Sequence, residues 1–156
     1  MNYVRYTSST GRSAADLPTP NRAMKERIWR DCKSDTAGVD GYIPVPTALA
    51  AHTVDARGVA FSGGWRAGKS LASVMVGVTW LPFASLIWLV AVDYDTTRQE
   101  FIYLSEAAVS AGLALDRDVH ISTNKYQPCV MTSSVTGCKV ETRTLADYRK
   151  LAAQPP

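Results

Sequence analysis

The sequence from Leu71 to Val92 contains 22 consecutive residues without a charged side chain. A run of this length is long enough to cross a bilayer as one apolar helix. The same composition is also typical of a helix and a strand that are both buried in a globular core. Pro82 lies inside the run, and proline ends or kinks a helix because it lacks an N–H group. The run therefore predicts either a membrane span or a helix and a strand that separate near Pro82.

A glycine-rich motif directly precedes this run. Residues 63–70 read GGWRAGKS and match the pattern G-x-x-x-x-G-K-[ST] of phosphate-binding loops. Glycines let backbone N–H groups turn toward an anion, and the following helix N-terminus adds partial positive charge. Lys69 is expected to bridge the β- and γ-phosphates, and the Ser70 hydroxyl to ligate Mg²⁺. The predicted nucleotide-binding residues are Gly63, Gly64, Trp65, Arg66, Ala67, Gly68, Lys69 and Ser70.

The elements predicted around the motif agree with the arrangement that its chemistry requires. The apolar sequence GVAFS predicts a buried strand over 58–62, followed by a loop and then a helix from 68 to about 79. The sequence SLIWLVAV is rich in β-branched and aromatic residues and predicts a buried strand over 85–92. This helix and strand account for the uncharged run, so we expect the chain not to enter a membrane.

The N-terminal part of the chain carries the excess of positive charge. Residues 1–33 contain seven Lys and Arg and three Asp and Glu, a net charge of +4, within a chain whose formal charge is +3. This charge is compatible with a solvated leader or with weak contact to DNA phosphates. The Ser-, Thr-, Gly- and Pro-rich residues 7–20 are expected to be disordered, and Asn21 is expected to cap a helix over 22–33.

A connector with Gly38, Gly41, Pro44 and Pro46 is predicted next, with a short helix over 47–52. We therefore divide the chain in two. Residues 1–50 are predicted to form a basic leader and connector that is partly disordered, and residues 51–156 to belong to the domain that contains the glycine-rich motif.

The sequence after the uncharged run predicts one long helix and then several strands. Asp95 or Thr96 is expected to cap the helix, which stops near Gly112. In the last strand, Lys139, Glu141 and Arg143 alternate with Val and Thr, which predicts one solvated face. The predicted elements are strands over 119–123, 129–133 and 138–145, a hairpin turn over 134–137, and a short helix over 145–153.

Other residues with reactive or ligating side chains give weaker patterns. Asp93 directly follows an apolar strand, which is compatible with a Mg²⁺-side carboxylate or with a helix cap, and the cap is favoured. His52 and His120 have no partner at catalytic spacing, so ordinary core or surface positions are expected for both. Three cysteines without a C-x-x-C pair indicate packing residues in a reducing compartment: Cys32, Cys129 and Cys138.

From about His52 onward, the chain resembles the ATPase domain of bacteriophage terminase large subunits, the motors that package viral DNA. The resemblance depends on AHTVDARGVAFSGGWRAGKS, on IWLVAVDYDTTRQEF and on CKVETRTL. It implies an α/β fold: a partial P-loop NTPase of the ASCE type, with three layers and an incomplete sheet. It also implies ATP and Mg²⁺ as ligands, with Arg66 as a sensor or stabiliser of the γ-phosphate. Trp65 differs from the polar or basic residue common in the family.

The resemblance further implies what the whole protein does. Terminases have an Asp-Glu strand and a metal-dependent nuclease domain after the region like LADYRKLAAQPP, and this chain has neither. We therefore expect it to bind ATP weakly, if at all, without turnover, and to be poorly stable alone because strand edges and the uncharged segment are exposed. The implied partners of the full-length protein are double-stranded phage DNA, the portal protein, the terminase small subunit and further copies of itself, in the host cytoplasm.

The family also implies that the strand over 58–62 does not pair directly with the strand over 85–92. Two other interpretations stay open. One is a different P-loop enzyme, such as a small nucleotide kinase with Asp93 as its metal-side carboxylate, although the sequence has no Arg-rich lid. The other is a membrane-associated interaction protein in which the GKS sequence is accidental.

Overall fold

The structure, a computed structural model, describes residues 3–7, 20–54 and 67–147. These residues form a mixed α/β arrangement of four α-helices and two sheets. The strands are β1 (Tyr3–Thr7), β2 (Lys33–Ser34), β3 (Val39–Asp40), β4 (Leu86–Ala91), β5 (Val119–His120), β6 (Val130–Thr132) and β7 (Lys139–Thr144). The helices are α1 (Arg22–Asp31), α2 (Pro46–Thr53), α3 (Lys69–Trp80) and α4 (Tyr94–Ser110), with 3₁₀ turns at Asp116–Asp118 and Leu145–Asp147.

The larger sheet has five strands in the order β1-β4-β7-β6-β5. The central strands β4 and β7 are parallel, and α4 lies between them in the chain. The pairs β1–β4, β6–β7 and β5–β6 are antiparallel. The predicted strand over 58–62 lies outside the described residues. The expectation that it does not pair directly with the strand over 85–92 therefore stays a prediction.

The uncharged run is divided as its sequence predicts. Helix α3 ends at Trp80, a turn contains Pro82, and β4 begins at Leu86. Within the described part of the chain, none of the helices has the length and apolar character needed to cross a bilayer. The expectation that this segment is exposed is wrong, because Met75 and Ile87 are fully buried.

The core is formed where α4 packs on β4 and β7, and where α3 packs on α4. The two helices approach closely at Gly77, where an added Cβ would lie 2.9 Å from a terminal carbon of Leu104. Helix α1 contributes Ile28 and Trp29 to the same core. The core is thus built from residues on both sides of position 50, where the sequence suggested a division. Its buried strand residues are Ile87, Leu89, Met131 and Val140.

The N-terminal segment 20–54 contains two helices and two short strands rather than only a connector. The Oδ1 atom of Asn21 accepts a hydrogen bond from Met24 N at 2.9 Å, which confirms the predicted cap of α1. The predicted short helix is also confirmed as α2. Strands β2 and β3 form a small hairpin, and the Glu106 carboxylate on α4 accepts hydrogen bonds from the hydroxyls of Ser34 and Thr36. This contact holds the hairpin against α4.

The C-terminal strands are found where the sequence predicts them, although they are shorter. Gly137 has a φ of +76° and allows the predicted hairpin turn between β6 and β7. The prediction of a solvated face on β7 holds at Lys139, which is exposed, but not at Glu141, which is only 7% exposed. Lys139 and Arg143 both pair with its carboxylate, and the Arg143 guanidinium lies 5.7 Å from the ring centre of Trp88 on β4. Beyond the 3₁₀ turn at Leu145–Asp147, the predicted helix over 145–153 lies outside the described residues.

Candidate functional site

The described end of the glycine-rich motif forms the start of α3. Gly68 is the N-cap residue and has a φ of +72°, a left-handed conformation that favours glycine. Lys69 is the first helical residue and is half-buried, whereas Ala67, Gly68 and Ser70 are exposed. The remaining motif residues, Gly63, Gly64, Trp65 and Arg66, lie outside the described part of the chain.

The N-terminus of α3 is suited to an anion. Gly68 has no side chain that could accept hydrogen bonds from the first-turn N–H groups, and the first turn contains no acidic residue. The N–H groups at a helix start and the helix dipole both favour negative charge there. By contrast, the N-termini of α1 and α4 are capped by the side chains of Asn21 and Asp93.

A cavity of about 720 Å³ opens beside this helix start. Its volume lies within the range typical of small-molecule sites. The α3 end contributes Ala67, Gly68, Lys69, Leu71 and Ala72 to the wall. The rest of the described wall comes from the β2–β3 hairpin, the segment after it and α2: Gly38, Val39, Asp40, Gly41, Tyr42, Ile43, Val45, Thr47, Ala48 and Ala51. The cavity therefore combines a helix N-terminus with a wall that is partly apolar and partly polar.

Behind this wall lies a cluster of three rings, Trp29, Tyr42 and His52. The Tyr42 hydroxyl and His52 Nε2 are 3.0 Å apart, and the ring centres of Trp29 and His52 are 4.8 Å apart. His52 is 4% exposed. Burial and the nearby positive charge of Lys25 lower the pKa of His52 from 6.5 to about 4, and burial raises the pKa of Tyr42 to about 12. At neutral pH both groups are uncharged.

Lys25 joins α1 to the end of α2. Its Nζ donates a hydrogen bond of 2.5 Å to the backbone carbonyl of His52, in the last turn of α2. A cation at this end of a helix is favourable because the last carbonyl groups carry partial negative charge. Partial burial lowers the pKa of Lys25. The contact fastens α2, which forms part of the cavity wall, to α1.

Asp93 caps α4, and the helix begins earlier than the sequence indicated. The Asp93 Oδ1 atom accepts a hydrogen bond of 2.7 Å from Thr96 N, so Asp93 is the N-cap residue rather than Asp95 or Thr96. This hydrogen bond lowers the pKa of Asp93. Asp95 lies in the first turn and pairs with Arg98 at 3.0 Å. The favoured interpretation of Asp93 as a helix cap is confirmed.

The other candidates occupy ordinary positions. His120 is exposed on the edge strand β5, and His52 is a buried core residue, as the sequence suggested for both. The three cysteines are buried free thiols. Within residues 20–54 and 67–147, no three His, Cys, Asp or Glu side chains come together as a metal site.

Sequence reasoning missed the cavity and the contact between Tyr42 and His52. The two residues are ten positions apart, and nothing in the residue pattern indicates that they meet. The cluster of Gly41, Pro44 and Pro46 did indicate a change of direction in the chain, but not which element the chain returns to.

Comparisons with protein-family models, with curated proteins and with solved structures gave no match.

Proposed function

We propose that this chain is a nucleotide-binding P-loop domain that holds Mg²⁺-ATP at the N-terminus of α3. The observation that carries the proposal is the position of the cavity, which opens directly on Gly68 and Lys69 of the motif. A helix N-terminus by itself accounts only for binding of an anion, and the adjoining cavity, with both apolar and polar residues in its wall, adds room for a base and a sugar.

The motif residues have distinct tasks in this proposal. The first-turn N–H groups of α3 and the Lys69 ammonium group bind the β- and γ-phosphates, and the Ser70 hydroxyl ligates Mg²⁺. Arg66 acts on the γ-phosphate, as the resemblance to terminases implies. Exposure of Ser70 and partial exposure of Lys69 are compatible with these contacts.

The cavity takes the nucleoside part. Its wall contains Val39, Ile43 and Val45, and Ile43 is 88% exposed and Val45 56% exposed, so apolar surface is available to a base. Asp40 and Thr47 add polar groups that a ribose hydroxyl can contact. This composition is typical of nucleoside sites, where apolar contact supplies affinity and a few polar groups supply orientation.

We further propose that the chain is part of a terminase-like packaging motor with a three-layer ASCE fold. Helices α3 and α4 would then form one outer layer on the sheet. Asp93, the candidate metal-side carboxylate, is engaged as a helix cap, so the proposed state of this site is binding without turnover. Phage DNA, the portal protein, the small subunit and copies of the same chain are the proposed partners of the full-length protein.

Titration of ¹⁵N-labelled protein with Mg²⁺-ATP, followed by amide NMR, tests this proposal. We expect the largest shifts at Gly68, Lys69 and Ser70 and at the amides that line the cavity. Amides of β5 and β6, on the far side of the sheet from β4, are the internal control. Shifts that are absent, or that are confined to β5 and β6, would contradict the proposal.

A further inference from the structure

We propose that His52 is a positioning residue for the nucleoside part of the ligand, and that it acts by holding Tyr42 in the cavity wall. This inference rests on the proposed nucleotide site. It goes beyond that site because it assigns the preference for a nucleoside triphosphate over inorganic triphosphate to a contact remote from the phosphate loop.

Tyr42 is held in the cavity wall by hydrogen bonds of its main chain and of its hydroxyl. It lines the cavity, and it is 9% exposed, so the ring is part of the wall rather than a mobile surface group. Its backbone N–H donates to the carbonyl of Trp29 at 2.7 Å, which fixes the main chain at this point. The hydroxyl is the one polar atom of the side chain, and it is directed to His52 Nε2.

His52 lies in a different element from Tyr42. It belongs to α2, which also contributes Ala48 and Ala51 to the cavity wall. The contact between Tyr42 and His52 therefore joins two separate parts of the wall, the segment after β3 and the helix α2. Loss of this hydrogen bond leaves a buried polar atom without its partner and allows the two parts to move apart.

Two residues of α1 hold His52 in position. The Trp29 ring packs against the imidazole, and Lys25 binds the His52 carbonyl. Both residues lie on α1, which packs on the core through Ile28 and Trp29. The imidazole is thus held from the core side and presents Nε2 to Tyr42.

The phosphate end of the site is built from different residues. Gly68 and Lys69 form the start of α3, whereas Tyr42 follows β3 and His52 lies in α2. The two ends therefore contribute separately to affinity. A change at His52 is expected to affect ligands that carry a nucleoside, and a change at Lys69 to affect every polyphosphate.

The test compares two ligands, Mg²⁺-ATP and Mg²⁺-tripolyphosphate, by calorimetric titration of the intact chain. The variants are Tyr42→Phe, His52→Gln and His52→Ala, with His120→Gln as a control on the exposed edge strand. We expect Tyr42→Phe and His52→Ala to weaken ATP binding about fivefold, because one hydrogen bond contributes about 1 kcal/mol. Tripolyphosphate affinity should change less than about twofold. His52→Gln can still accept the hydroxyl proton, so it should recover most of the ATP affinity.

Any of the following results would overturn the inference. Equal losses for both ligands would show that Tyr42 and His52 act on the fold rather than on the nucleoside. Unchanged ATP affinity in Tyr42→Phe, which keeps the ring and removes only the hydroxyl, would exclude the positioning role. If wild-type protein binds the two ligands equally, the cavity does not take the nucleoside, although the phosphate site survives. If it binds neither ligand, the proposed function fails as well.

Discussion

The hydroxyl of Tyr42 lies 3.0 Å from Nε2 of His52, and this contact ties the segment after β3 to α2 beside the start of α3. Both side chains are buried, so the hydrogen bond is made away from solvent. Such bonds are costly to break because the groups left behind have neither a partner nor water. The contact therefore fixes the shape of the cavity in which we place the nucleoside.

The same contact predicts a pH dependence of stability. The pKa of His52 is lowered from 6.5 to about 4 in the folded chain, first by burial and then by the charge of Lys25. Between these two pH values the unfolded chain binds a proton that the folded chain does not. Stability contributed by neutral His52 is therefore lost as the pH falls from about 6.5 to about 4, by up to about 3 kcal/mol.

Urea unfolding of wild type, His52→Gln and His120→Gln across this pH range measures the effect. We expect the slope of stability against pH to become smaller in His52→Gln than in wild type, and His120→Gln, at an exposed position, is the matched histidine-to-glutamine control. The same slope in wild type and His52→Gln would show that other groups cause the dependence.

Asp93 is predicted to matter for the stability of α4 but not for Mg²⁺. Asp93→Ala removes the acceptor for Thr96 N and should lower the melting temperature. Asp93→Ser keeps a capping oxygen and should restore most of that loss. Because the cap holds the pKa of Asp93 below its usual value, its contribution is present at neutral pH and is lost as the pH falls through that lowered pKa.

The matched measurement is Mg²⁺-ATP affinity in the same variants. It should be equal in Asp93→Ala, Asp93→Ser and wild type. Selective loss of Mg²⁺-dependent affinity in both Asp93 variants would favour the alternative of a metal-side carboxylate, as in a small nucleotide kinase.

Glu141 is predicted to stabilise the sheet through its two cationic neighbours. Burial alone would raise the pKa of its carboxyl, but the hydrogen bonds and charges of Lys139 and Arg143 together lower it. Glu141→Gln should cost about 2 kcal/mol, because it leaves the partly buried Arg143 beside Trp88 without its counterion.

Glu26→Gln is the matched control for this prediction. Glu26 pairs with Arg22 at 2.7 Å, but both side chains are largely exposed, and exposed pairs contribute little to stability, about 0.5 kcal/mol or less. The measurement is the free energy of unfolding of both variants by chemical denaturation. Similar small losses in the two variants would show that the Glu141 cluster behaves as an ordinary surface pair.

Much of the fold around the uncharged run was predictable from the sequence. Helix α3 and strand β4 follow from a continuous apolar segment with Pro82 between them, and Asn21 could be recognised as a cap because it precedes a helical sequence. These features depend on residues that are near one another in the chain. Local residue preferences decide such features, and a sequence displays them directly.

The errors came from contacts between distant residues. Glu141 lies between Val140 and Thr142, an alternation that predicts a solvated side chain, whereas in the sheet it is buried opposite Trp88 of β4. Three capping residues within four positions, Asp93, Asp95 and Thr96, left the start of α4 ambiguous until the end of β4 was known. The cavity depends on the return of the hairpin and α2 to α3, which no local pattern indicates.

The central claim is that the start of α3 binds the phosphates of a nucleotide. Calorimetric titration of wild type, Lys69→Ala and Lys125→Ala with Mg²⁺-ATP tests it most directly, since Lys125 is an exposed lysine that lies against Tyr126 and not in the cavity wall. We predict saturable binding to wild type and Lys125→Ala, and an affinity at least about tenfold lower in Lys69→Ala, because a hydrogen bond from a charged group is lost. Equal affinities in all three proteins, or binding to none of them, would contradict the claim.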